Sequence, residues 1–270
     1  MTSDLFVDAK LKIERANEHI EDFRKRVEKF AKTIPYTFSV EHDAERGYHV
    51  LTFEAGGGVP RSISLALGDA LHNLRTALDY VAFEIVTRAD GATNFIKFPI
   101  REDRDKLKAA LTGGEMKVAG SDIIELILDV IQPYPGGNAS ALFVLHSLDI
   151  GDKHFQLTPV FTVVSALVSG RAGLTTIENT VFMVDEGGKM RIVAQPGPFK
   201  FQGQVQPAFQ VLFGKGQPFE GQAVIPTLHQ LSQLISGAVH AIEQVYLARE
   251  RGAGHNAATG SSEAVTPPPP

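Results

Sequence analysis

The sequence predicts an α+β fold in which long antiparallel helices carry a β-hairpin and a β-rich segment. Three observations support this prediction. Residues 4–32 and 60–88 repeat apolar side chains at spacings of three and four, which is typical of helices that pack along one face. Residues 155–224 are rich in Val, Phe and Thr, as strands are. The helical spacing then returns at residues 225–250, so we expect the last helix to pack on the first two.

The first helix, residues 4–32, concentrates its apolar side chains in a narrow seam of the coiled-coil kind. That seam consists of Ile13, Ala16, Ile20, Phe23, Val27, Phe30 and Ile34. Pro35 ends the helix, because a proline ring disfavours the helical conformation in the residue before it. At about 1.5 Å per residue the helix is roughly 43 Å long, so it needs an equally long partner.

A β-hairpin and a second long helix follow. Two alternating runs, residues 36–41 and 48–54, flank a turn-rich centre, which predicts a hairpin over residues 36–54. The second helix, residues 60–88, carries a continuous apolar stripe of Ile63, Leu67, Ala70, Leu74, Leu78, Val81 and Ile85. Only the hairpin and a short linker separate the two helices, so antiparallel packing is the simplest arrangement.

The remaining elements complete a mainly helical part, residues 1–154, and a β-rich segment. We expect a helix at residues 101–111, and another that opens at Asp122 and Glu125 in the manner of a capping box and ends at Pro133. A further helix spans residues 139–150 and stops at Gly151. Residues 155–224 should form five or six strands, residues 225–250 the last helix, and residues 251–270 a disordered tail.

The composition excludes several classes of function. The formal charge of -5 argues against a protein that binds nucleic acid through bulk charge, and no DNA partner is expected. The absence of cysteine excludes disulfides, thiol nucleophiles and thiolate metal sites. No phosphate loop, dinucleotide fingerprint or zinc-protease motif is present, so no cofactor is predicted. The charged N-terminus and short apolar runs predict a cytoplasmic protein with no membrane partner.

The second helix also has a polar face, within the stretch GDALHNLRTALDY. At about 100° per residue, His72 and Asp79 lie within about 20° of each other, and Arg75 within about 60° of His72. These three are the candidate catalytic residues. Gly68 shares their side of the helix. A helix-interior glycine costs about 1 kcal/mol, so its presence indicates that another group approaches closely.

A second polar group, HSLDIGDKH, lies at the end of the helix predicted at residues 139–150. Three interpretations stay open. The segment is a plain helix end with a glycine stop, a set of ligands for a divalent metal, or half of a composite site with the polar face of the second helix. The predicted binding residues are Asp69, Tyr80, Asp152, Lys153 and His154, and no metal ligand is assigned.

GDALHNLRTALDY, together with the later FPI, QPY and GDKH, resembles a family of bacterial and phage-associated proteins. Members of that family carry a GD-x-LHNLR-x-ALDH core and a later DKH. The resemblance covers roughly residues 8–157 and implies a shared fold. An Arg followed four to six residues later by a His is also similar to the signature of HEPN-type helical ribonucleases. Arg75 matches the first position, but Tyr80 stands where the His is expected.

Three hypotheses about function follow. The favoured one is a non-catalytic binding or assembly protein, with a structural polar network around His72, Arg75 and Asp79 and a β-rich recognition surface. The second is a HEPN-like protein, dimeric through its long helices, that binds or cleaves RNA with Arg75 and His72 near the phosphate. The third is a metal-dependent hydrolase that uses His72, Asp79, Asp152 and His154. Two partners are accordingly predicted. One is a second copy of the chain, bound through the long helices, and the other is RNA.

Overall fold

A computed structural model gives the fold, which is α+β as predicted. It describes residues 5–34, 36–43, 48–55, 59–91, 94–154, 157, 159–172, 175–183, 189–193 and 201–259. Within some helices and strands only the backbone is described. Lys153 and His154 belong to this group, so the predictions for their side chains lie outside the described part of the chain.

The helices and strands alternate along the chain in groups. The helices are α1 (Val7–Ala31), α2 (Arg61–Arg88), α3 (Arg104–Gly113), α4 (Ser121–Glu125), α5 (Ser140–His154) and α6 (Val224–Thr259). The strands are β1 (Tyr36–Asp43), β2 (Tyr48–Ala55), β3 (Pro159–Ala172), β4 (Thr175–Met183), β5 (Lys189–Val193) and β6 (Phe201–Phe213). A 3-10 turn, Glu115–Ala119, precedes α4, and a π-helical turn, Leu126–Ile131, continues it.

The two long N-terminal helices and the hairpin are confirmed. The helices α1 and α2 lie within two or three residues of their predicted limits. The strands β1 and β2 pair antiparallel, with Tyr36 opposite Ala55 and Asp43 opposite Tyr48. The predicted turn between these strands falls at residues 44–47, outside the described residues.

Several details differ from the predictions. Gly151 does not stop α5, which continues to His154. The helix α6 runs to Thr259, into the segment predicted as a disordered tail. Residues 155–224 contain four strands among those described, fewer than the five or six expected. The capping box is also wrong: Gly120 is the N-cap of α4, and the Asp122 carboxylate instead pairs with Arg249.

The chain forms two compact units. Unit 1 contains residues 1–17, 71–149 and 230–270, and unit 2 contains residues 18–70 and 150–229. The division runs through the helices α1, α2, α5 and α6. Among the described helices, none combines the length and the apolar character that crossing a bilayer requires.

Unit 1 is a helical assembly in which α1 runs antiparallel to both α2 and α6. Successive contacts from α1 move backwards along each partner helix, which establishes this direction. The pairs with α2 are Phe6 with Glu84 and Lys12 with Asn73; those with α6 are Phe6 with Tyr246, Lys10 with Glu243 and Asn17 with Ser232. Within unit 1 the apolar stripe of α2 is fully buried from Leu74 to Ile85, which makes it the centre of this core.

Unit 2 contains both sheets. One has the strand order β1–β2–β5, so the predicted hairpin gains a third strand from the β-rich segment. The other has the order β4–β3–β6, with β3 antiparallel to both neighbours. The ring of Phe30, near the end of α1, meets that of Phe161 on β3 edge to face, with the ring centres 5.0 Å apart. The apolar seam of α1 therefore continues onto a sheet within this unit.

Candidate functional site

The polar face of α2 is partly enclosed, and Arg75 is its most buried member. Only 5% of the Arg75 side chain is exposed, compared with 28% for Asp79 and 54% for His72. A guanidinium in such a place needs hydrogen-bond acceptors, because it always carries its charge. The three predicted catalytic residues therefore occupy different environments, although they share one side of the helix.

Arg75 and Asp79 together bind the backbone of Phe98. Arg75 Nη1 donates to Asp79 Oδ1 at 2.6 Å, and Arg75 Nη2 donates to the Phe98 carbonyl at 3.1 Å. Asp79 Oδ1 also accepts the Phe98 backbone N–H at 2.8 Å. The backbone N–H and the carbonyl of Phe98 are thus both satisfied by one ion pair, whose two residues lie one helical turn apart on α2.

The chain around Phe98 explains why this bonding is needed. Residues 96–100 belong to neither a helix nor a strand, so their backbone groups find no partners in a regular ladder. Phe98, Pro99 and Ile100 are nevertheless buried. A buried peptide group without a partner costs about 1–3 kcal/mol, so the Arg75–Asp79 pair lets this segment pack against α2.

His146 on α5 is a further hydrogen-bond partner of Arg75. Arg75 Nε donates to His146 Nδ1 at 3.3 Å, which uses the third nitrogen position of the guanidinium. Burial, followed by the positive charge of Arg75, holds the pKa of His146 below its usual value. A neutral imidazole is what this bond requires, since only the neutral ring leaves Nδ1 able to accept.

His72 has a separate partner. His72 Nδ1 lies 2.8 Å from Asp149 Oδ1 on α5, and the Asp149 side chain is only 7% exposed. On the other side of the ring, His72 Nε2 lies 3.5 Å from Thr76 Oγ1, one helical turn further along α2. The imidazole therefore lies between a hydroxyl, on its Nε2 side, and a buried carboxylate, on its Nδ1 side.

Gly68 of α2 meets another carboxylate of α5, inside unit 2. A Cβ atom built on Gly68 would come within 2.3 Å of Asp152 Oδ2 and 2.8 Å of Asp152 Cγ. Real Cβ atoms do not approach other atoms this closely, so glycine is required for the Asp152 carboxylate to lie where it does. The predicted close approach at Gly68 is thus present, and the approaching group is the predicted binding residue Asp152.

Two open cavities flank Tyr80 in unit 1. One, of about 330 Å³, is lined by Thr76, Asp79, Tyr80, Phe83 and Ile96. The other, of about 260 Å³, is lined by Asp8, Leu11, Lys12, Arg15 and Tyr80. Tyr80 is partly exposed, and the Lys12 ammonium lies 5.8 Å from the centre of its ring. Tyr80 therefore belongs to an accessible surface, whereas Arg75 does not.

The predicted residues do not all meet in one place. The structure joins Arg75 to Asp79, His72 to Asp149, and Asp152 to the backbone at Gly68. Asp69 is exposed on α2. Among the described residues, no group of three or more His, Asp or Glu side chains is arranged to hold a metal ion.

The sequence prediction missed Phe98 as the group that Arg75 and Asp79 bind. The FPI motif was noted only for its resemblance, although a buried aromatic residue before a proline, outside any helix or strand, indicates a backbone that needs partners. His146 and Asp149 were recognised as polar residues of α5. Their partners on α2 depend on how the two helices pack, and the spacing of residues along either helix does not contain that information.

Comparisons of the chain with protein-family models, with curated proteins and with solved structures find no match. The resemblance of GDALHNLRTALDY and GDKH to a bacterial and phage-associated family therefore stays a prediction, as does the HEPN-like one.

Proposed function

We propose that this chain is a binding or assembly protein in which Arg75 and Asp79 serve structure, and that it associates with a second copy of itself through α1. The observation that carries the proposal is the bonding of both residues to the Phe98 backbone. Since all three nitrogen positions of Arg75 have partners within the chain, the pair has a structural task that accounts for its burial.

The surface proposed for assembly is the α1 face, defined as Val7, Asp8, Leu11, Lys12 and Arg15. Leu11 is 52% exposed and Val7 is 38% exposed, on the side of α1 away from its buried seam. The residues recur at spacings of three and four, so they form one stripe. Exposed large apolar side chains that form a stripe beside an open cavity are typical of a contact surface.

The charges of the α1 face favour a second copy as the partner. In an antiparallel pair of α1 helices with its two-fold axis between Leu11 and Lys12, Asp8 of each copy lies opposite Arg15 of the other. A two-fold contact brings the same patch of both copies together, so a surface with both signs of charge at symmetric distances is complementary to itself. Leu11 of each copy then lies between the two charged pairs, and Val7 lies just outside them.

Sedimentation velocity with charge-swapped variants tests this arrangement. We expect the wild type to sediment as a dimer and Arg15→Asp as a monomer, because two carboxylates would then face each other at each end of the interface. The double variant Asp8→Arg, Arg15→Asp reverses both charges together and should restore the dimer. Leu65→Glu, at a leucine that is 66% exposed on α2, is the matched control and should leave the dimer unchanged.

A wild type that stays monomeric up to the highest soluble concentration contradicts the proposal. So does a double variant that dissociates as fully as Arg15→Asp, since the charge pairing would then not be the reason for the effect.

RNA binding in the HEPN manner has less support. It requires Arg75 to face a phosphate, whereas its side chain is enclosed and bonded to Asp79, His146 and Phe98. Tyr80 also replaces the expected His. RNA cleavage that is present in the wild type and absent in Arg75→Lys, at equal thermal stability, would favour this function over the structural one.

A further inference from the structure

We propose that Thr76, His72 and Asp149 form a catalytic site that hydrolyses small esters, with Thr76 as the nucleophile, His72 as the general base and Asp149 as the residue that positions His72. This activity goes beyond assembly. It uses the cavity lined by Thr76 and Tyr80, and its three residues lie in α2 and α5 of unit 1.

The geometry has the order of contacts that nucleophilic catalysis requires. A weak nucleophile is activated by a base within hydrogen-bonding reach, and a third group orients that base. Thr76 Oγ1 lies 3.5 Å from His72 Nε2, and His72 Nδ1 lies 2.8 Å from Asp149 Oδ1. The distance of 3.5 Å between Thr76 and His72 is typical of catalytic sites without substrate, in which such contacts shorten when the substrate binds.

The buried carboxylate fixes the form of the imidazole. Asp149 accepts at Nδ1, so in the neutral ring the proton is on Nδ1 and the lone pair is on Nε2, facing Thr76. His72 is the exposed member of the pair and Asp149 the buried one. The base is therefore open to solvent and substrate, while the residue that positions it is held inside the protein.

A cavity for the acyl group adjoins the hydroxyl. Thr76 lines the cavity of about 330 Å³ together with Asp79, Tyr80, Phe83 and Ile96, and its apolar part, at Phe83 and Ile96, suits an acyl chain of a few carbons. Tyr80 lies one helical turn from Thr76 in the same lining. In the proposed reaction its phenol donates a hydrogen bond to the oxyanion of the tetrahedral intermediate.

The reaction balances with water as the co-reactant. Thr76 Oγ1 bonds to the carbonyl carbon of the ester while its proton passes to His72 Nε2. The intermediate collapses, the carbon–oxygen bond to the leaving alcohol breaks, and the alcohol takes the proton from His72. Water then gives a proton to His72 and adds to the acyl carbon. Collapse of this second intermediate returns the proton to Thr76 and releases a carboxylic acid.

If the contact between His72 and Asp149 has only a structural role, the Thr76 variants should behave differently. In that case His72 only satisfies a buried carboxylate, and removing the Thr76 hydroxyl changes nothing measurable in solution. The two accounts differ in whether Thr76 becomes covalently modified, which makes the modification the decisive measurement.

The experiment uses the full chain, 4-nitrophenyl acetate as the substrate and a fluorophosphonate as the covalent probe. We expect turnover above that of the Thr76→Val variant, and a fluorophosphonate adduct that maps to Thr76 by mass spectrometry. His72→Gln should lower kcat by about 100-fold or more, since a general base contributes on the order of 10²–10⁴. Thr87→Val, at an exposed threonine on the same helix, and His229→Gln, at an exposed histidine on α6, are matched controls.

The roles of Asp149 and Tyr80 are tested by comparing the effects of their replacement on kcat and on KM. Asp149→Asn should lower kcat and leave KM unchanged, because its effect reaches the substrate only through His72. Tyr80→Phe keeps the ring in the cavity and should also lower kcat, since only the oxyanion donor is lost.

Three outcomes overturn the proposal: no fluorophosphonate adduct on Thr76, turnover that survives Thr76→Val, or a loss in His72→Gln no larger than in His229→Gln. Thermal unfolding of each variant identifies any that has failed to fold. For a variant that fails, Thr76→Ser keeps the hydroxyl at the same position, and the proposal requires it to retain both the adduct and turnover.

Discussion

Two arginines on the long helices have the same sequence pattern and different surroundings. Arg24 on α1 pairs with Glu28, and Arg75 on α2 pairs with Asp79, each with a carboxylate four residues later. The Arg24 side chain is 40% exposed and its partners are side chains of its own helix, including Glu21 at 2.7 Å. The Arg75 side chain is enclosed and reaches the backbone of Phe98.

The comparison shows that the spacing of charges does not determine what a pair contributes to stability. The Arg24 guanidinium, mainly through its hydrogen bond, lowers the pKa of Glu21 to about 2. In solvent, however, two long side chains lose conformational freedom to form such a pair, and most exposed pairs add little. Arg75 and Asp79 satisfy buried backbone groups, whose loss has a larger effect.

Replacing Arg75 should have the largest effect. Arg75→Met keeps much of the side-chain volume but leaves the Phe98 carbonyl without its Arg75 donor and removes the charged donor of Asp79, which keeps only the Phe98 N–H. We expect a loss of about 2–4 kcal/mol in the free energy of unfolding, measured by urea denaturation. A loss below about 0.5 kcal/mol would place Arg75 in the same class as an exposed arginine.

Replacing Asp79 separates its charge from its role as an acceptor. Asp79→Ala removes the partner of the Phe98 N–H and should lower the free energy of unfolding by about 1–3 kcal/mol. Asp79→Asn keeps a carbonyl oxygen for that N–H and should lose less. Equal losses in the two variants, compared by urea denaturation, would show that the ion pair matters and the Phe98 contact does not.

Gly68 tests the contribution of close packing to stability, whereas the arginine and aspartate variants test hydrogen bonding. Gly68→Ala places a methyl group against the Asp152 carboxylate, which must rotate away, so the variant should gain less than the roughly 1 kcal/mol that the helix propensity of alanine alone would add to the free energy of unfolding. Adding Asp152→Ala removes the clash, so the double variant should be more stable than Asp152→Ala alone. Thermal unfolding of the four proteins measures both effects, and a double variant no more stable than Asp152→Ala would contradict the steric explanation.

Asp122 and Arg249 form a pair of intermediate exposure whose contribution should depend on pH. Arg249, mainly through its hydrogen bond, lowers the pKa of Asp122. A lowered folded-state pKa stabilises the protein above the unfolded-state value of about 3.9, and this stabilisation disappears as the pH falls through the folded-state pKa. We expect Arg249→Met to cost up to about 1 kcal/mol at neutral pH, with a difference from the wild type that narrows in acid. A difference that grows in acid would contradict this sign.

Replacing Arg24 should have the smallest effect. Arg24→Met removes the two exposed ion pairs that Arg24 forms on α1, and neither of its described partners, Glu21 and Glu28, is buried. We expect its urea denaturation midpoint to match that of the wild type. A loss as large as that of Arg75→Met would remove the distinction between the two arginines.

Much of the fold was predictable because apolar periodicity reflects burial. The seam of α1 from Ile13 to Val27 and the stripe of α2 from Ile63 to Ile85 are buried as the spacing predicts. Strand partners are less predictable, since pairing between β2 and β5 depends on contacts distant in sequence. This is why the hairpin was expected and its third strand was not.

Helical spacing predicts which polar residues share one side of α2, but it does not predict which groups they bind. Helical spacing placed His72, Arg75 and Asp79 on one side of α2, and Gly68 correctly indicated a close approach. The partners Phe98 and Asp149 lie 23 residues after Arg75 and 77 residues after His72, respectively. No local pattern specifies such pairs, because they depend on how the coil segment and α5 pack against α2.

The central claim is that Arg75 and Asp79 act as one unit that holds the backbone of Phe98. A double-mutant cycle of Arg75→Met and Asp79→Ala, with free energies of unfolding from urea denaturation, tests it most directly. The structure predicts that the double variant loses less than the sum of the single variants by about 1–3 kcal/mol. Single losses that add to within about 0.5 kcal/mol, as expected for residues that do not interact, would contradict the claim.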